Sequence, residues 1–444
     1  MTWGQFGALV ILASIPATCG WPFRLGADAV DLADLARYDL GDFYHTGSDD
    51  PLSPGAFSAW KQGASVAFAL FEPELSSGPF ARTTLRRDGR DMREINLASY
   101  SYLGLGQHPE VIAAAVAVLQ EFGTGACGSP MLSGMTVLHR DLETALAAFM
   151  RRDRTMLFNS GNSGAIGTLS AVLRKGDVAI LDQYAHVCLV EGVRLAGARL
   201  ETFAHNDPDD LDRKLAQHAG KRRLVVVEGL YSMHGDLGAL DLLVPVARAH
   251  GVDVMVDEAH SILAVGESGR GAGEHFGVED QIALSYGTFS KSFANAGSVL
   301  GGTAETMDYV RYFANTYVFS VALPPAVVAG VRAALDVATR DNTLRERLRR
   351  NTEHFRQGLL GLGIDTSGSS THIIPIVIGS DRILLYQLTA MLREAGLFVA
   401  PVDYPSVPEN ELRLRTCVTA AHTIADLDEA LNIIEAIIVP RLRA

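Results

Sequence analysis

Short apolar runs alternate with helical segments through the middle of this chain, and no other feature restricts its fold as strongly. The runs occupy residues 178–181, 224–228, 253–257, 282–286 and 298–300. Strands that are buried on both faces of a sheet have continuous apolar sequences, and strands joined through helices pair in parallel. The alternation therefore predicts an α/β fold in which helices cover both faces of a mostly parallel sheet.

The segments on either side of these runs predict further helices and a second domain. Residues 111–119 and 138–150 have helical apolar spacing, and the first segment is predicted to be a buried helix. After a charged amphipathic helix at 344–362, five segments predict strand, helix, strand, strand and helix: IIPIVIG, LLYQLTAMLREAG, LFVAP, ELRLRTCV and DLDEALNIIEAII. This order indicates a smaller C-terminal α+β domain. We divide the chain into an N-terminal extension at 1–79, a large domain at 80–340 and a small domain at 341–444.

The charged residues and the cysteines argue against several classes of protein. The chain has 38 Lys and Arg against 51 Asp and Glu, a net charge of −13, which argues against nucleic acid as a partner. Its four cysteines include no CxxC pair, so neither a disulfide framework nor a structural zinc site is indicated, and no metal site is expected. We therefore expect a protein of the reducing cytoplasm.

The apolar stretch at 6–15 has the features of neither a signal peptide nor a membrane span. No Lys or Arg precedes Arg24, whereas a secretory signal carries positive charge ahead of its apolar stretch. Ten residues are also too few to cross a bilayer as a helix. The stretch is expected to be a packing arm or a poorly ordered terminus, and the turn formers at 46–54 mark the whole extension as a lead-in to the core.

Three groups of reactive or small residues lie where predicted strands end. Asp257 and His260 follow one apolar run, and Lys291 follows the next, between hydroxyl residues. A turn of small residues at 158–164 opens a helix and would present backbone N–H groups to an anion. Each group has an ordinary alternative: Asp257 as a helix cap, Lys291 as a solvated side chain, and the turn as a plain helix N-terminus.

Taken together, the three groups match the needs of one cofactor. Pyridoxal 5′-phosphate (PLP) requires an acid beside its ring nitrogen, a lysine that forms a Schiff base and a cradle for its phosphate. Ser and Thr hydroxyls beside the lysine suit a phosphate neighbour because they donate hydrogen bonds to its oxygens. The combination therefore indicates a PLP enzyme.

Seven motifs in order resemble the α-oxoamine synthase family of fold-type I PLP enzymes. They are SYSYLGL (99–105), GTGACGS (123–129), QYAHVCLVEGVR (183–194), VVEGLYSMHGD (226–236), VDEAHS (256–261), GTFSKS (287–292) and RLRTCVTAAHT (413–423). The resemblance covers roughly residues 90 to 440, and the wording of three motifs is most similar to serine palmitoyltransferases. It implies a large domain like that of aspartate aminotransferase, followed by the small α+β domain.

The resemblance also implies a role for each candidate residue. Lys291 would form the Schiff base with PLP and later move the Cα proton. Asp257 would pair with the pyridine nitrogen, and His186 would stack on the ring. The remaining roles are contacts to the phenolic oxygen and the reacting carbonyl (His260 and Ser232), to the phosphate (Gly161, Asn162, Thr288, Ser290 and Ser320) and to the substrate (Arg415 and Ser101).

The implied reaction joins a small amino acid (serine, alanine or glycine) to an acyl thioester, carried by coenzyme A or by an acyl carrier protein. Carbon dioxide and the thiol leave, and an α-amino ketone forms. Another PLP reaction, transamination or retro-aldol cleavage, is the nearest alternative. A non-catalytic partner subunit is a further alternative. The presence of Lys291, Asp257 and His260 together argues against it.

The chain departs from the family pattern at two positions, and the family implies a dimer. Ser101 stands where Asn is frequent, and Asn162 stands where an aromatic residue is usual. Family members are typically homodimers with composite sites, so Ser320 is expected to reach the phosphate of the other subunit. Its alternative is a cap on the turn before Pro324.

Overall fold

The computed structural model describes residues 70–87, 89–340, 342–404 and 406–442. The predicted arm at 6–15, the turn-rich run at 46–54 and most of the predicted extension lie outside these residues. The strands are β1 (Glu74–Leu75), β2 (Arg82–Arg87), β3 (Arg90–Asn96), β4 (Arg154–Phe158), β5 (Val178–Asp182), β6 (Arg199–Phe203), β7 (Arg223–Glu228), β8 (Asp253–Asp257), β9 (Leu284–Thr288), β10 (Ser298–Gly302), β11 (Ile373–Gly379), β12 (Leu397–Phe398), β13 (Ala400–Val402) and β14 (Leu412–Cys417).

Helices separate and follow these strands. They are α1 (Pro109–Phe122), α2 (Val137–Phe149), α3 (Gly161–Val172), α4 (Val187–Leu195), α5 (Pro208–Gln217), α6 (Leu240–Ala249), α7 (Ala272–His275), α8 (Ala304–Phe313), α9 (Asn315–Val318), α10 (Pro325–Arg340), α11 (Thr343–Gly361), α12 (Arg382–Glu394), α13 (Ile424–Ile437) and α14 (Val439–Leu442). None of the helices in the described ranges is long and apolar enough to cross a membrane.

Seven strands form the central sheet, in the order β4-β10-β9-β8-β7-β5-β6. Strands β9, β8, β7, β5 and β6 pair in parallel, and β10 runs antiparallel to both of its neighbours. Strands β5, β9 and β10 are buried at every residue, as expected for strands that are covered on both faces of the sheet. The predicted α/β fold with a mostly parallel sheet is confirmed.

The apolar runs located the interior strands but not the two edges. The edge strand β6 is solvated along most of its length, with only Phe203 buried, so its sequence RLETF contains no apolar run. The other edge strand, β4, has only three apolar residues before the turn at its end. Strand β9 also begins two residues later than predicted, because Ile282 caps the 3₁₀ turn Glu279–Gln281.

The prediction of a buried helix at 111–119 is wrong. Helix α1 buries only Val111, while Ile112, Val116 and Leu119 are 48%, 46% and 43% exposed. One side of α1 packs against α10, and within a single chain nothing covers the other apolar side among the described residues. Apolar composition predicted the helix but did not distinguish a core face from an uncovered one.

The small C-terminal unit has its own core and includes an N-terminal hairpin. Strands β11, β14 and β13 form an antiparallel sheet, and LFVAP divides between two sheets because β12 pairs with β3 while β13 pairs with β14. Ile95 and Leu97 share a core with Phe355, Leu414 and Ile434. The segment from β2 to Leu97, which we assigned to the large domain, therefore packs with the small one. This pairing joins strands about 300 residues apart in sequence, and local patterns carry no signal of it.

Candidate active site

Polar side chains end four neighbouring strands of the central sheet. Asp182 ends β5, Glu228 ends β7, Asp257 ends β8 and Thr288 ends β9. Glu228 pairs with Asp257 across the ladder, and Asp257 pairs with Tyr286, so these strand ends lie side by side. Because ligands of open α/β sheets bind beyond the carboxyl ends of the strands, this edge is the candidate site.

Lys291 and Asp257 form the charged centre of this edge. Lys291 is half-buried in the turn after β9, and Asp257 is only 5% exposed. Burial lowers the pKa of Lys291, against the charges of Asp257 and Glu228. Burial raises the pKa of Asp257, against the charge of Lys291 and a 2.9 Å hydrogen bond from the backbone N–H of Ala259. The structure thus brings together the acid and the lysine that the sequence indicated.

His186 lies at the same edge, at the N-terminus of α4. Its backbone N–H donates to Glu228 Oε1 at 2.6 Å, and its Nδ1 accepts from the N–H of Cys188 at 3.3 Å. His186 is exposed at the surface, yet partial burial lowers its pKa, with the charge of Asp257 opposing and that of Lys291 adding to the effect. Glu228 was not among our candidates, although its place at the end of the LVVVE run was a usable signal.

His260 is buried near Lys291 and is held by a residue that we did not predict. The His260 side chain is 5% exposed, and its Nδ1 lies 2.7 Å from the Tyr102 hydroxyl. Burial, followed by the nearby charge of Lys291, lowers the pKa of His260 well below its usual range. The imidazole is therefore neutral at pH 7.

The turn that opens α3 has the form of an anion cradle. Ser160 caps the helix, its hydroxyl oxygen accepting from the N–H of Ser163 at 3.1 Å. A Cβ at Gly161 would lie 2.9 Å from Thr288 Oγ1, so only glycine allows β9 to pack this closely on the turn. Thr288 Oγ1 in turn lies 2.9 Å from Ser290 Oγ. Backbone N–H groups and two hydroxyls thus converge at a helix N-terminus, where a phosphate is stabilised.

Three of the phosphate candidates are exposed or already hydrogen-bonded. Asn162 and Ser290 both face solvent. Ser320 is half-buried, and the side-chain amide of Asn159 donates a hydrogen bond to its hydroxyl within the same chain. Ser320 thus lies next to the small-residue turn at 158–164 of its own chain. Its action on the other subunit stays a prediction.

Arg415 is a buried cation without a carboxylate partner in the described chain. It is 6% exposed, its Nη2 donates to the Tyr100 hydroxyl, and its guanidinium carbon lies 4.5 Å from the centroid of the Tyr100 ring. Its Nε has no hydrogen-bond partner, and burial lowers its pKa. Such a group is suited to an incoming carboxylate. Ser101 follows Tyr100 and is half-buried, with its backbone N–H 3.2 Å from Ser99 Oγ.

Ser232 is buried in a loop that makes hydrogen bonds and close contacts with the small domain. Arg413 donates to the carbonyl of Met233 at 2.9 Å, and Thr371 donates to the carbonyl of Gly235 at 2.7 Å. A Cβ at Gly235 would lie 1.9 Å from the carbonyl of Ile373, and its φ of 72° also favours glycine. The small domain therefore fixes the loop that carries Ser232.

A histidine outside our candidates joins two site loops. His205 Nδ1 lies 3.0 Å from Asp182 Oδ1, and its Nε2 lies 2.7 Å from Asp236 Oδ2. Burial lowers the pKa of His205, but hydrogen bonds and charges from the two aspartates outweigh burial and raise it to about 9. The charged imidazole thus connects the end of β5, just before His186, to the loop of Ser232.

The residues present fit PLP. Asp257 and Lys291 are desolvated together, the glycine turn leaves room for an anion, and Arg415 offers an unpaired N–H. A buried acid suits a protonated ring nitrogen, and a lysine of lowered pKa suits bond formation to a carbonyl carbon. The set therefore suits both the cofactor and an amino acid with a carboxylate.

Comparison with known proteins agrees with this geometry. Residues 93–434 match the family model described as aminotransferase class I and II. The chain is 37% identical over 343 residues to a serine palmitoyltransferase of Bacteriovorax stolpii, covering 77% of this chain and 81% of that protein. It is 36% identical over 376 residues to an 8-amino-7-oxononanoate synthase of Thermoanaerobacter pseudethanolicus, covering 84% of this chain and 93% of that protein.

Solved structures show the same architecture. A serine palmitoyltransferase from S. paucimobilis with PLP and myriocin bound superposes with a TM-score of 0.83 at 30% identity, covering 91% of this chain and 99% of that one. The serine palmitoyltransferase of Sphingomonas wittichii gives the same TM-score at 32% identity, covering 88% and 98%. The fold thus corresponds over nearly the whole of these chains.

Proposed function

The chain belongs to the aminotransferase class I and II family and, within it, to the PLP-dependent α-oxoamine synthases, and from that premise we propose the reaction it catalyses. A small amino acid and an acyl thioester combine to give an α-amino ketone, carbon dioxide and a thiol. A bond forms between Cα and the acyl carbon, the C–S bond and the bond from Cα to the carboxylate break, and one proton is taken up. The observation that carries the proposal is that Lys291 and Asp257 are desolvated together at the sheet edge, while the buried Arg415 has no carboxylate partner in the described chain.

The protein residues would divide the work of holding PLP. Asp257 would face the ring nitrogen, His186 would lie over the ring, and the turn at Gly161 with Thr288 and Ser290 would bind the phosphate. When bound, PLP supplies an electron sink for negative charge at the substrate Cα. Each of these contacts uses a group that the fold already orients.

Lys291 and Arg415 would act on the amino acid. A lowered pKa increases the neutral fraction of the Lys291 amine at pH 7, and this form accepts a proton from Cα. Arg415 would bind the carboxylate through its guanidinium fork. Arg415 is buried and Lys291 is half-buried, and the reduced contact with water strengthens the interaction of each with charge.

His260 and Ser232 would act on oxygen. Both side chains are at most 9% exposed and belong to loops that follow adjacent strands. A neutral imidazole can donate one hydrogen bond to an oxygen on which charge develops. We propose this role for His260 toward the reacting carbonyl, with Ser232 as a second donor.

Assembly and location belong to the proposal as well. The uncovered apolar side of α1 supports a homodimer, because exposed apolar patches commonly mark subunit contacts. The described cysteines Cys127, Cys188 and Cys417 are all free thiols, which supports a reducing compartment.

A thiol-release assay tests the reaction. Glycine, alanine and serine are each combined with acyl-CoA and acyl-carrier donors of several chain lengths, with the Lys291→Ala variant as control. Thiol and carbon dioxide should appear in equal amounts with at least one pair. Loss of the amino group without thiol release would contradict the proposal in favour of transamination, and PLP-loaded protein inert toward every pair would also contradict it.

A further inference from the structure

The phenol of Tyr102 is hydrogen-bonded to His260. The Tyr102 side chain is fully buried, and its hydroxyl makes the 2.7 Å contact with His260 Nδ1. Within the described chain, Nε2 of His260 makes no hydrogen bond. The ring of Tyr100 approaches the imidazole edge-on, at a centroid distance of 6.3 Å. Nε2 is therefore the nitrogen left for a ligand.

The small domain fixes the position of Tyr102. Its carbonyl accepts from the backbone N–H of Ala420 at 2.7 Å, and its ring lies 4.0 Å from that of His372, centroid to centroid. These contacts involve the backbone and the ring, whereas the hydroxyl contacts only His260 among the described residues. Removing the hydroxyl would therefore leave the ring in place.

The proton count at this contact favours one arrangement. Burial raises the pKa of the Tyr102 phenol well above its usual range, so the hydroxyl keeps its hydrogen. His260 is neutral and carries one ring N–H, since burial first, then the charge of Lys291 and the neighbouring imidazoles of His372 and His186, lower its pKa. A buried hydroxyl hydrogen without an acceptor is unfavourable, and Nδ1 is the only acceptor within reach. The phenol therefore donates to Nδ1, and the imidazole proton lies on Nε2.

We propose that Tyr102 is a positioning residue that fixes the tautomer of His260, so that Nε2 presents a hydrogen-bond donor to the site. The proposal rests on the proposed function, because the oxygen that receives this bond belongs to PLP or to the acyl substrate. It also excludes His260 Nε2 as a base. Lys291 is then left to move the proton at Cα.

The Tyr102→Phe variant tests this role, with Tyr386→Phe as its matched control. Tyr386 donates its hydroxyl to Asp403 at 2.8 Å in the small domain, so the control removes a bonded phenol hydroxyl away from His260. The first readout is the pH titration of the visible absorption of PLP-loaded protein. Tyr102→Phe should move its midpoint by at least about half a pH unit while PLP stays bound. A midpoint equal to that of the wild type would overturn the proposal.

Kinetics and a second background separate positioning from simple destabilisation. We expect kcat of Tyr102→Phe to fall about tenfold, with KM for the amino acid changed less than about twofold. In a His260→Gln background, Tyr102→Phe should add no further shift of the absorption midpoint, because its effect passes through the imidazole. An equal shift in both backgrounds would mean that Tyr102 acts by another route and would overturn the proposal.

A measurement on the wild type stands even if the variant does not fold. Solid-state NMR of ¹⁵N-histidine-labelled, PLP-loaded protein, with His260 assigned by its loss in His260→Gln, reports which ring nitrogen is protonated. A proton on Nε2 supports the proposal, and a proton on Nδ1 overturns it. Neither the titration nor the NMR spectrum requires turnover. Protein that shows Nε2–H but releases no thiol would therefore contradict the proposed function alone.

Discussion

Two regions of the site treat their charges in opposite ways. At the carboxyl edge of the central sheet, Lys291, Asp257 and Glu228 act on one another, and the pKa of each reflects its neighbours as well as burial. On the small domain, Arg415 is as buried as Asp257 and Glu228 but has only the Tyr100 phenol and no described carboxylate. Tyr100 contacts both regions, since its ring lies against His260 and Arg415.

The difference indicates that the two regions bind different kinds of ligand. The sheet edge balances its charges within the chain, as a region that holds a permanent cofactor should. Arg415 on the small domain has no described carboxylate partner, as is expected of a group that binds and releases a substrate carboxylate. Substitutions in the first region should therefore affect catalysis and stability, whereas those in the second should affect substrate affinity.

The largest effect is expected from Lys291→Ala. Loss of the amine removes both the attachment of PLP and the proton carrier, so the rate of thiol release should fall by a factor on the order of 10³ or more. Lys175→Ala is the control, because Lys175 is exposed in the loop before β5. A variant that kept a tenth of wild-type activity would show that the charges of the sheet edge do not serve catalysis.

The bridge made by His205 should appear as a pH-dependent stability. Because its pKa is raised to about 9, its stabilisation is complete below about pH 6.5 and is lost as the pH rises through 9. His205→Gln should therefore lower the free energy of unfolding at pH 6 by up to about 3 kcal/mol, and by much less at pH 9.5.

Urea unfolding at both pH values measures this difference. His250→Gln is the control, because His250 pairs with Asp212 at the surface, and it should change the free energy of unfolding by less than about 1 kcal/mol. An equal loss for His205→Gln at both pH values would mean that the bridge is not held by charge.

Arg415→Lys should weaken amino-acid binding about tenfold, or about 1.4 kcal/mol, because lysine keeps the charge but loses the fork. Titration of the absorption change on amino-acid binding measures it. Arg413→Lys is a control on the same strand, since Arg413 is already bonded to Glu411 and to the Met233 carbonyl. That variant should lose stability rather than affinity. Unchanged affinity for Arg415→Lys would place the carboxylate site elsewhere.

Mixed dimers test whether Ser320 serves its own site or that of its partner. Lys291→Ala and Ser320→Trp, each inactive alone, are dissociated, mixed and reassembled. If Ser320 acts on the other subunit, half the dimers are hybrids with one complete site each, and about a quarter of wild-type activity should return. If Ser320 instead serves its own chain, in which Asn159 donates a hydrogen bond to it, no hybrid site is complete and the mixture should stay inactive.

The sequence was most informative where chemistry follows a strand. Asp257, His260 and Lys291 were identifiable because each comes just after an apolar run, and the ends of parallel strands meet at one edge. Residues that act by tertiary contact gave weaker signals. Tyr100 and Tyr102 lie within SYSYLGL, but contacts to residues about 160 and 315 positions away define their roles.

The errors at the fold level share a physical cause: a local sequence pattern does not show what a segment packs against. Apolar runs identify strands that are buried on both faces, so edge strand β6 was missed. The same composition predicted burial for α1, whose outer side is exposed in the single chain. The parallel pairing of β12 with β3 joins segments about 300 residues apart, and no local pattern encodes it.

Locating the lysine that holds PLP tests the charge-balanced sheet edge most directly. PLP-loaded protein is reduced with borohydride, which makes the bond between cofactor and lysine permanent, and is then digested and mapped by mass spectrometry. The modification should lie on Lys291, since that amine is the desolvated one beside Asp257. Modification of Lys175, Lys214 or Lys221, with Lys291 unmodified, would contradict the assignment of the site.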